Sequence, residues 1–134
     1  MKKLRYYFIC FSVVFSSCIL LPIDYVNVTN ITIENKTNFN LIIGIDYMLH
    51  GNIARKVETI RKGEAFKFGM SRIGGRYSVP PNPNYEFTTF IFLNADTNET
   101  IKEIDNNYFF EEIKYDQHDR DYIFIITDDL LFSE

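Results

Sequence analysis

A period of two in hydrophobicity dominates residues 39 to 50 and constrains the fold more than any other feature. The odd positions carry large apolar side chains, namely Phe39, Leu41, Ile43, Ile45, Tyr47 and Leu49. Most even positions are small or polar, as at Asn40, Gly44 and Asp46. Successive side chains of a β-strand point to opposite faces, so this pattern predicts a strand with one buried face.

Further strands follow at short intervals, separated by turn residues. The turn at residues 50–52 predicts a hairpin whose second strand, 53–60, is more exposed because of Arg55, Lys56 and Glu58. Residues 85–93 are apolar on both faces, which predicts a central strand, and residues 122–126 predict a buried one. Residues 107–115 fit a strand or a single helical turn.

The first segment, residues 26–34, changes its period. Val26 and Val28 lie at even positions, whereas Ile31 and Ile33 lie at odd ones. A shift of one residue exchanges the two faces of a strand, so we expect a bulge or break near Thr29 and Asn30. Together these patterns predict an all-β domain, a single immunoglobulin-like or transthyretin-like antiparallel β-sandwich of about six to eight strands.

The N-terminus has the three parts of a secretory signal peptide. Lys2, Lys3 and Arg5 precede an apolar stretch from 6 to 15, and small residues follow it. The segment Phe15-Ser16-Ser17-Cys18 resembles the lipobox of bacterial lipoproteins. This resemblance implies that residues 1–17 are removed and that Cys18 becomes the first residue and carries lipid. Residues 18–25 would then tether a domain spanning 26–134 to a membrane.

Two other fates of the leader remain open. An ordinary signal peptidase could cut near Ser17 or Cys18 and release a secreted protein. The apolar run from 6 to 23 could also stay uncleaved as an anchor, since about 18 residues can span a bilayer.

Composition limits what the mature part can do. The leader holds three of the 14 basic residues and no acidic residue, so the remaining 117 residues carry 11 basic and 18 acidic side chains. A net charge near −7 argues against binding to nucleic acid. If the leader is cleaved, Cys10 leaves with it, so we expect the domain to contain no internal disulfide and to depend on its hydrophobic core.

No catalytic, metal or cofactor site is predicted. His50 and His118 both fall in predicted turns, and no serine has the Gly-x-Ser-x-Gly setting of a nucleophile. The acidic segments 96–100 and 116–121 lack the spacing of a calcium loop. Adjacent carboxylates such as Glu111 and Glu112 would point to opposite faces of a strand.

The remaining candidate is a binding surface on the Pro- and Gly-rich connection between residues 71 and 84. Arginine and tyrosine are enriched at binding hot spots, and four of them flank this segment: Arg72, Arg76, Tyr77 and Tyr85. We expect a non-enzymatic binding or structural module of the bacterial cell envelope, attached to the membrane through Cys18 and able to bind a protein partner. The alternative is an inhibitor or immunity-type lipoprotein that blocks a basic enzyme or toxin, since opposite charge accelerates association.

Overall fold

The computed structural model describes residues 24–49, 52–106 and 109–133, which form eight strands and two short helices. The strands are β1 (Tyr25–Asn35), β2 (Leu41–Leu49), β3 (Asn52–Ile60), β4 (Ala65–Gly74), β5 (Phe87–Asn94), β6 (Thr100–Asp105), β7 (Glu111–Tyr115) and β8 (Asp119–Ile126). The helices are α1 (Pro83–Glu86) and α2 (Asp128–Phe132).

Two four-stranded sheets make up the domain. Their strand orders are β4-β1-β8-β7 and β3-β2-β5-β6, so β3, β4, β6 and β7 are edge strands. All neighbours are antiparallel except β1 and β8, which run parallel in the middle of the first sheet. The prediction of an all-β sandwich is confirmed, with the strand number at its upper limit.

The core lies between the sheets and is built from aromatic and β-branched side chains. Phe90 on β5 and Phe124 on β8 are fully buried, and their ring centroids are 5.4 Å apart across the two sheets. The alternation in β2 buries Leu41, Ile43 and Ile45, as predicted. Aromatic rings bury a large apolar area per residue, which allows a small domain to form one core.

The prediction of a bulge near Thr29 and Asn30 is wrong. β1 pairs with β4 without a break from Tyr25 to Glu34, and every odd residue from 27 to 35 is buried. The inward face therefore begins with polar side chains, Asn27 and Thr29, while Val26 lies on the outer face. The hydrophobic pattern was misleading because those two polar groups have hydrogen-bond partners in the interior.

Other boundaries differ from the sequence-based expectations. β4 continues to Gly74, so only residues 75–82 of the expected connection are irregular. Residues 111–115 form a strand, in agreement with the first of the two alternatives. Helix α2 was not anticipated; the Thr127 side chain caps it by accepting a hydrogen bond from the Leu130 N–H.

The proposed leader, residues 1–17, lies outside the described residues, as do Cys18 and most of the tether. Tyr25 was assigned to the tether but already belongs to β1. Within the described ranges, neither helix has the length and apolar character needed to cross a bilayer.

Candidate functional site

The four predicted binding residues occupy three different structural settings. Arg72 lies near the end of β4, Arg76 and Tyr77 lie in a turn closed by a hydrogen bond from Ser78 N to Gly75 O (2.9 Å), and Tyr85 lies on α1. We refer to residues 72–85 as the connecting loop. Tyr77 is 86% exposed and Tyr85 is 70% exposed.

Buried polar side chains of β1 fix the connecting loop to the first sheet. The Thr29 hydroxyl donates to the Pro81 carbonyl at 2.5 Å, and Asn27 Nδ2 donates to Ser78 Oγ at 2.6 Å. Gly74 allows this close approach, because a Cβ atom there would lie only 2.5 Å from Ser78 Cβ. Residues 75–82 of the connecting loop have an irregular backbone, but these contacts attach them firmly to β1.

His118 belongs to the same polar cluster. Its Nδ1 lies 2.7 Å from Asn27 Oδ1, an amide oxygen that can only accept, and its ring stacks on Tyr25 with a centroid distance of 4.5 Å. His118 does lie in the predicted turn, between β7 and β8, but these contacts leave it half-buried. The neighbouring Gln117 donates through Nε2 to the Arg76 carbonyl at 2.9 Å, so the β7–β8 turn also holds the loop. His50 lies outside the described residues.

Helix α1 is held from its other side. Asn84 makes a reciprocal pair with Phe110, donating to its carbonyl at 2.8 Å and accepting from its N–H at 3.0 Å. Asn106 Nδ2 is within hydrogen-bond distance of the Pro83, Asn84 and Phe87 carbonyls. These contacts give Tyr85 a fixed support.

An ion pair joins the start of the connecting loop to the last residue of α1. Arg72 Nη2 lies 2.7 Å from Glu86 Oε1, and both side chains are partly exposed. Glu86 precedes Phe87, which lines a cavity of about 300 Å³ between the facing edge strands β3 and β4. We call this cavity the edge groove; its other lining residues are Ile45, Tyr47, Lys56, Phe68, Gly69 and Met70.

The edge groove is mainly apolar but contains one cation. Lys56 Nζ lies 5.2 Å from the centroid of the Phe66 ring and 5.8 Å from that of Phe68, a cation–π geometry. It also pairs with Glu58 at 3.0 Å. The sequence did not reveal this groove, because its formation depends on how the two sheets are aligned.

One cluster with catalytic residue types joins the buried Tyr122 to the half-buried Arg120 and the exposed Glu112. The Tyr122 hydroxyl donates to Glu112 Oε2 at 2.6 Å, and burial, with this hydrogen bond, raises the pKa of Tyr122. Arg120 lies over the Tyr115 ring at 4.3 Å. A phenol with a raised pKa stays neutral at physiological pH. This cluster therefore has the character of a structural network that joins β7 to β8.

Side chains of the protein already bind carboxylates of the second acidic segment, residues 116–121. In segment 116–121, Asp119 pairs with Lys114 at 2.6 Å, and Asn30 Nδ2 donates to Asp121 at 2.7 Å. Across residues 24–49, 52–106 and 109–133, no group of three or more His, Cys, Asp or Glu side chains is arranged to hold a metal ion.

Comparison with known proteins gave no match among protein-family models, curated proteins or solved structures.

Proposed function

We propose that this protein is a lipid-anchored, non-enzymatic binding module of the bacterial cell envelope, held to a membrane through Cys18. The connecting loop is the proposed contact surface for a protein partner. The observation that carries this proposal is that buried hydrogen bonds from Thr29 and Asn27 fix the loop, while Tyr77 is almost fully exposed.

A fixed loop with exposed aromatic side chains is suited to binding. Ordering a flexible loop on association costs conformational entropy, and a loop that is already ordered avoids most of that cost. Tyrosine supplies a large amphipathic contact area with few rotatable bonds. Tyr77 and Tyr85, which are 86% and 70% exposed, present this kind of contact area on the connecting loop.

The proposed anchor has a direct test in the native host. The intact mass of the membrane-extracted protein should correspond to a chain that begins at Cys18 and carries acyl chains. A Cys18→Ala variant should lose the acylated species and leave the membrane fraction, whereas Cys10→Ser, within the leader, should behave as the wild type. An unacylated mature chain, or one that keeps Met1, would contradict the anchor.

The proposed contact surface is tested by site-specific photo-crosslinking in the native envelope. A photoreactive amino acid at Tyr77 should give a discrete crosslinked band, and the added substitution Arg76→Ala should weaken it. The matched control is the same amino acid at Lys62, which is exposed in the β3–β4 turn. Equal crosslinking from both positions would remove the connecting loop from the proposal.

A second candidate function, inhibition of a basic enzyme or toxin, is favoured by the acidic edges on the other side of the sandwich. Strands β6 and β7 expose Glu103, Asp105, Glu111 and Glu112, against Lys102 and Lys114. A partner held by these charges should dissociate progressively as ionic strength rises, because salt screens exposed charges. A salt-insensitive complex would argue against this second function.

A further inference from the structure

Among the described residues, the side of the sandwich formed by β3 and β4 has two unpaired edges that face each other. Each is the outermost strand of its sheet, and an edge strand presents backbone N–H and C=O groups that can pair with an additional strand. The edge groove between them is lined mainly by half-buried apolar side chains, among them Tyr47, Phe68 and Met70. This side therefore combines backbone hydrogen-bonding capacity with apolar surface that a further strand could cover.

The charge on this side is opposite to that of the domain. Strands β3 and β4 together carry four basic side chains, Arg55, Lys56, Lys67 and Arg72, and one acidic side chain, Glu58. The formal charge of these two strands is therefore +3, whereas the sequence as a whole has a net charge of −4. Three of these cations already have carboxylate partners, namely Asp46 for Arg55, Glu58 for Lys56 and Glu86 for Arg72. Among the described residues of the two strands, Lys67 is the exposed cation that is in no ion pair, and it lies beside the apolar groove.

We infer that β4 accepts an extended segment of a partner protein that alternates apolar and acidic side chains, and that this segment pairs as an additional strand of the first sheet. Along β4, Phe66, Phe68 and Met70 point toward the interior and are half-buried, whereas Lys67 points outward and is exposed. An added strand repeats this alternation. Its apolar side chains cover the edge groove, and its acidic side chains lie on the outer face beside Lys67.

Charge selects this occupant over a second copy of the chain. Two β4 edges paired in a register centred near Lys67 would bring the Lys67 side chains of the two molecules together on the outer face, and like charges on neighbouring strands are destabilising. An acidic side chain opposite Lys67 turns this repulsion into an attraction.

The probe for this site is a synthetic peptide of about ten residues that alternates isoleucine and glutamate. It should bind the full-length protein and slow amide hydrogen exchange in β4, residues 65–74, more than in β7. The matched control peptide replaces every glutamate with lysine, and a second control carries N-methyl groups on alternate backbone nitrogens, which removes half of its hydrogen-bond donors. Neither control should bind measurably.

Charge reversal on the protein completes the test. Lys67→Glu should weaken peptide binding by about 2- to 30-fold, the effect of removing one attraction and adding one repulsion at an exposed site. Lys114→Glu makes the same change on β7, at the opposite edge of the same sheet, and should leave peptide affinity within about twofold. Circular dichroism of both variants checks that the sandwich is intact.

Several outcomes would overturn the inference. They are no binding of the glutamate peptide, equal binding of the N-methylated peptide, equal loss in both charge-reversal variants, and dimers of the protein formed through β4 without peptide.

The proposed β4 site rests on the binding role proposed above, but it does not depend on the lipid anchor or on a contact by Tyr77. Peptide binding without crosslinking at Tyr77 would retain the β4 site and discard the connecting loop. Crosslinking without peptide binding would do the reverse.

Discussion

Individual polar residues, more than individual apolar ones, give this domain its local shape. Asn35 is fully buried at the end of β1 and makes four hydrogen bonds. Its Nδ2 donates to the Phe39 and Ile60 carbonyls at 2.9 and 3.0 Å, and its Oδ1 accepts from the N–H and hydroxyl of Thr37. One side chain thus links the segment between the sheets to both β1 and β3.

Replacing Asn35 with Ala should lower the free energy of unfolding by about 2–4 kcal/mol, because buried carbonyl and N–H groups lose their partners. Urea denaturation followed by circular dichroism measures the effect. Asn38→Ala is the control, since Asn38 is exposed and bonds to Asp128 at the surface. A loss at Asn35 no larger than that at Asn38 would contradict the role given to this network.

A second residue-scale prediction concerns acid stability. Arg55 makes a two-point contact with Asp46, Nε to Oδ1 at 2.5 Å and Nη2 to Oδ2 at 2.7 Å, and the hydrogen bond to Arg55 lowers the pKa of Asp46. A carboxyl group whose pKa is lower in the folded state than in the unfolded state stabilises the fold above its unfolded pKa. That contribution is lost as pH falls below about 4 and through the folded pKa.

Asp46→Asn should therefore show a smaller loss of stability than the wild type as pH falls below about 4, measured by urea midpoints across that range. Arg55→Gln removes the other partner and should reduce the pH dependence similarly. Parallel pH profiles for the wild type and both variants would show that the pair does not contribute.

At the scale of elements, the connecting loop is ordered by contacts far away in sequence. The hydroxyl of Thr29 on β1 bonds the Pro81 carbonyl, and Asn27 bonds Ser78. Proline and glycine restrict or loosen the backbone locally, but neither fixes a loop in space. The loop's position follows from the two polar side chains that β1 turns inward.

Thr29→Val keeps the shape of the side chain but removes its hydroxyl, so the buried Pro81 carbonyl loses its donor. We expect a destabilisation of about 1–3 kcal/mol and faster amide exchange in residues 75–82. Thr32→Val on the outer face of β1 is the matched control and should change neither quantity measurably. Unchanged exchange in the Thr29 variant would mean that other contacts hold the loop.

At the scale of the molecule, the two sheets share one aromatic core. The Phe90 ring contacts five other phenylalanine rings, those of Phe87, Phe92, Phe109, Phe110 and Phe124, with centroids 5.4 to 6.3 Å away. Phe124 belongs to the other sheet, so the sheets should unfold as one unit.

Phe90→Ala should destabilise the protein by about 3–5 kcal/mol, because it removes buried apolar surface and leaves a cavity. Differential scanning calorimetry should still show one transition, at a lower temperature. Tyr77→Ala, an equally large truncation at an exposed ring, should change the free energy of unfolding by no more than about 0.5 kcal/mol. Two separate transitions would contradict a shared core.

The strands that could be predicted are those in which hydrophobicity alternates or is continuous, as in β2, β5 and β8. Burial of one or both faces imposes that pattern directly on the sequence. β1 was misread because Asn27 and Thr29 face inward, and a pattern of apolar residues contains no signal for a satisfied polar group. Helix α2 was missed because it is a single turn, capped by Thr127, and too short to show helical periodicity.

The candidate site, like the fold, could be predicted only in part. The sequence identified the connecting loop through Arg72, Arg76, Tyr77 and Tyr85, since loops rich in Pro and Gly are visible in composition. It did not reveal that His118 is half-buried against Tyr25, or that β4 lies across a groove from β3, because both depend on residues distant in the chain.

The amino-acid sequence by itself determined that this chain forms a β-sandwich, because alternation at period two is a local property of each segment. Only the tertiary structure decided which strands became edges, that β1 lies parallel to β8, and that Lys56 lies in an apolar groove between β3 and β4. These features depend on the pairing of segments far apart in the chain, and pairing is settled by the packing of the whole molecule.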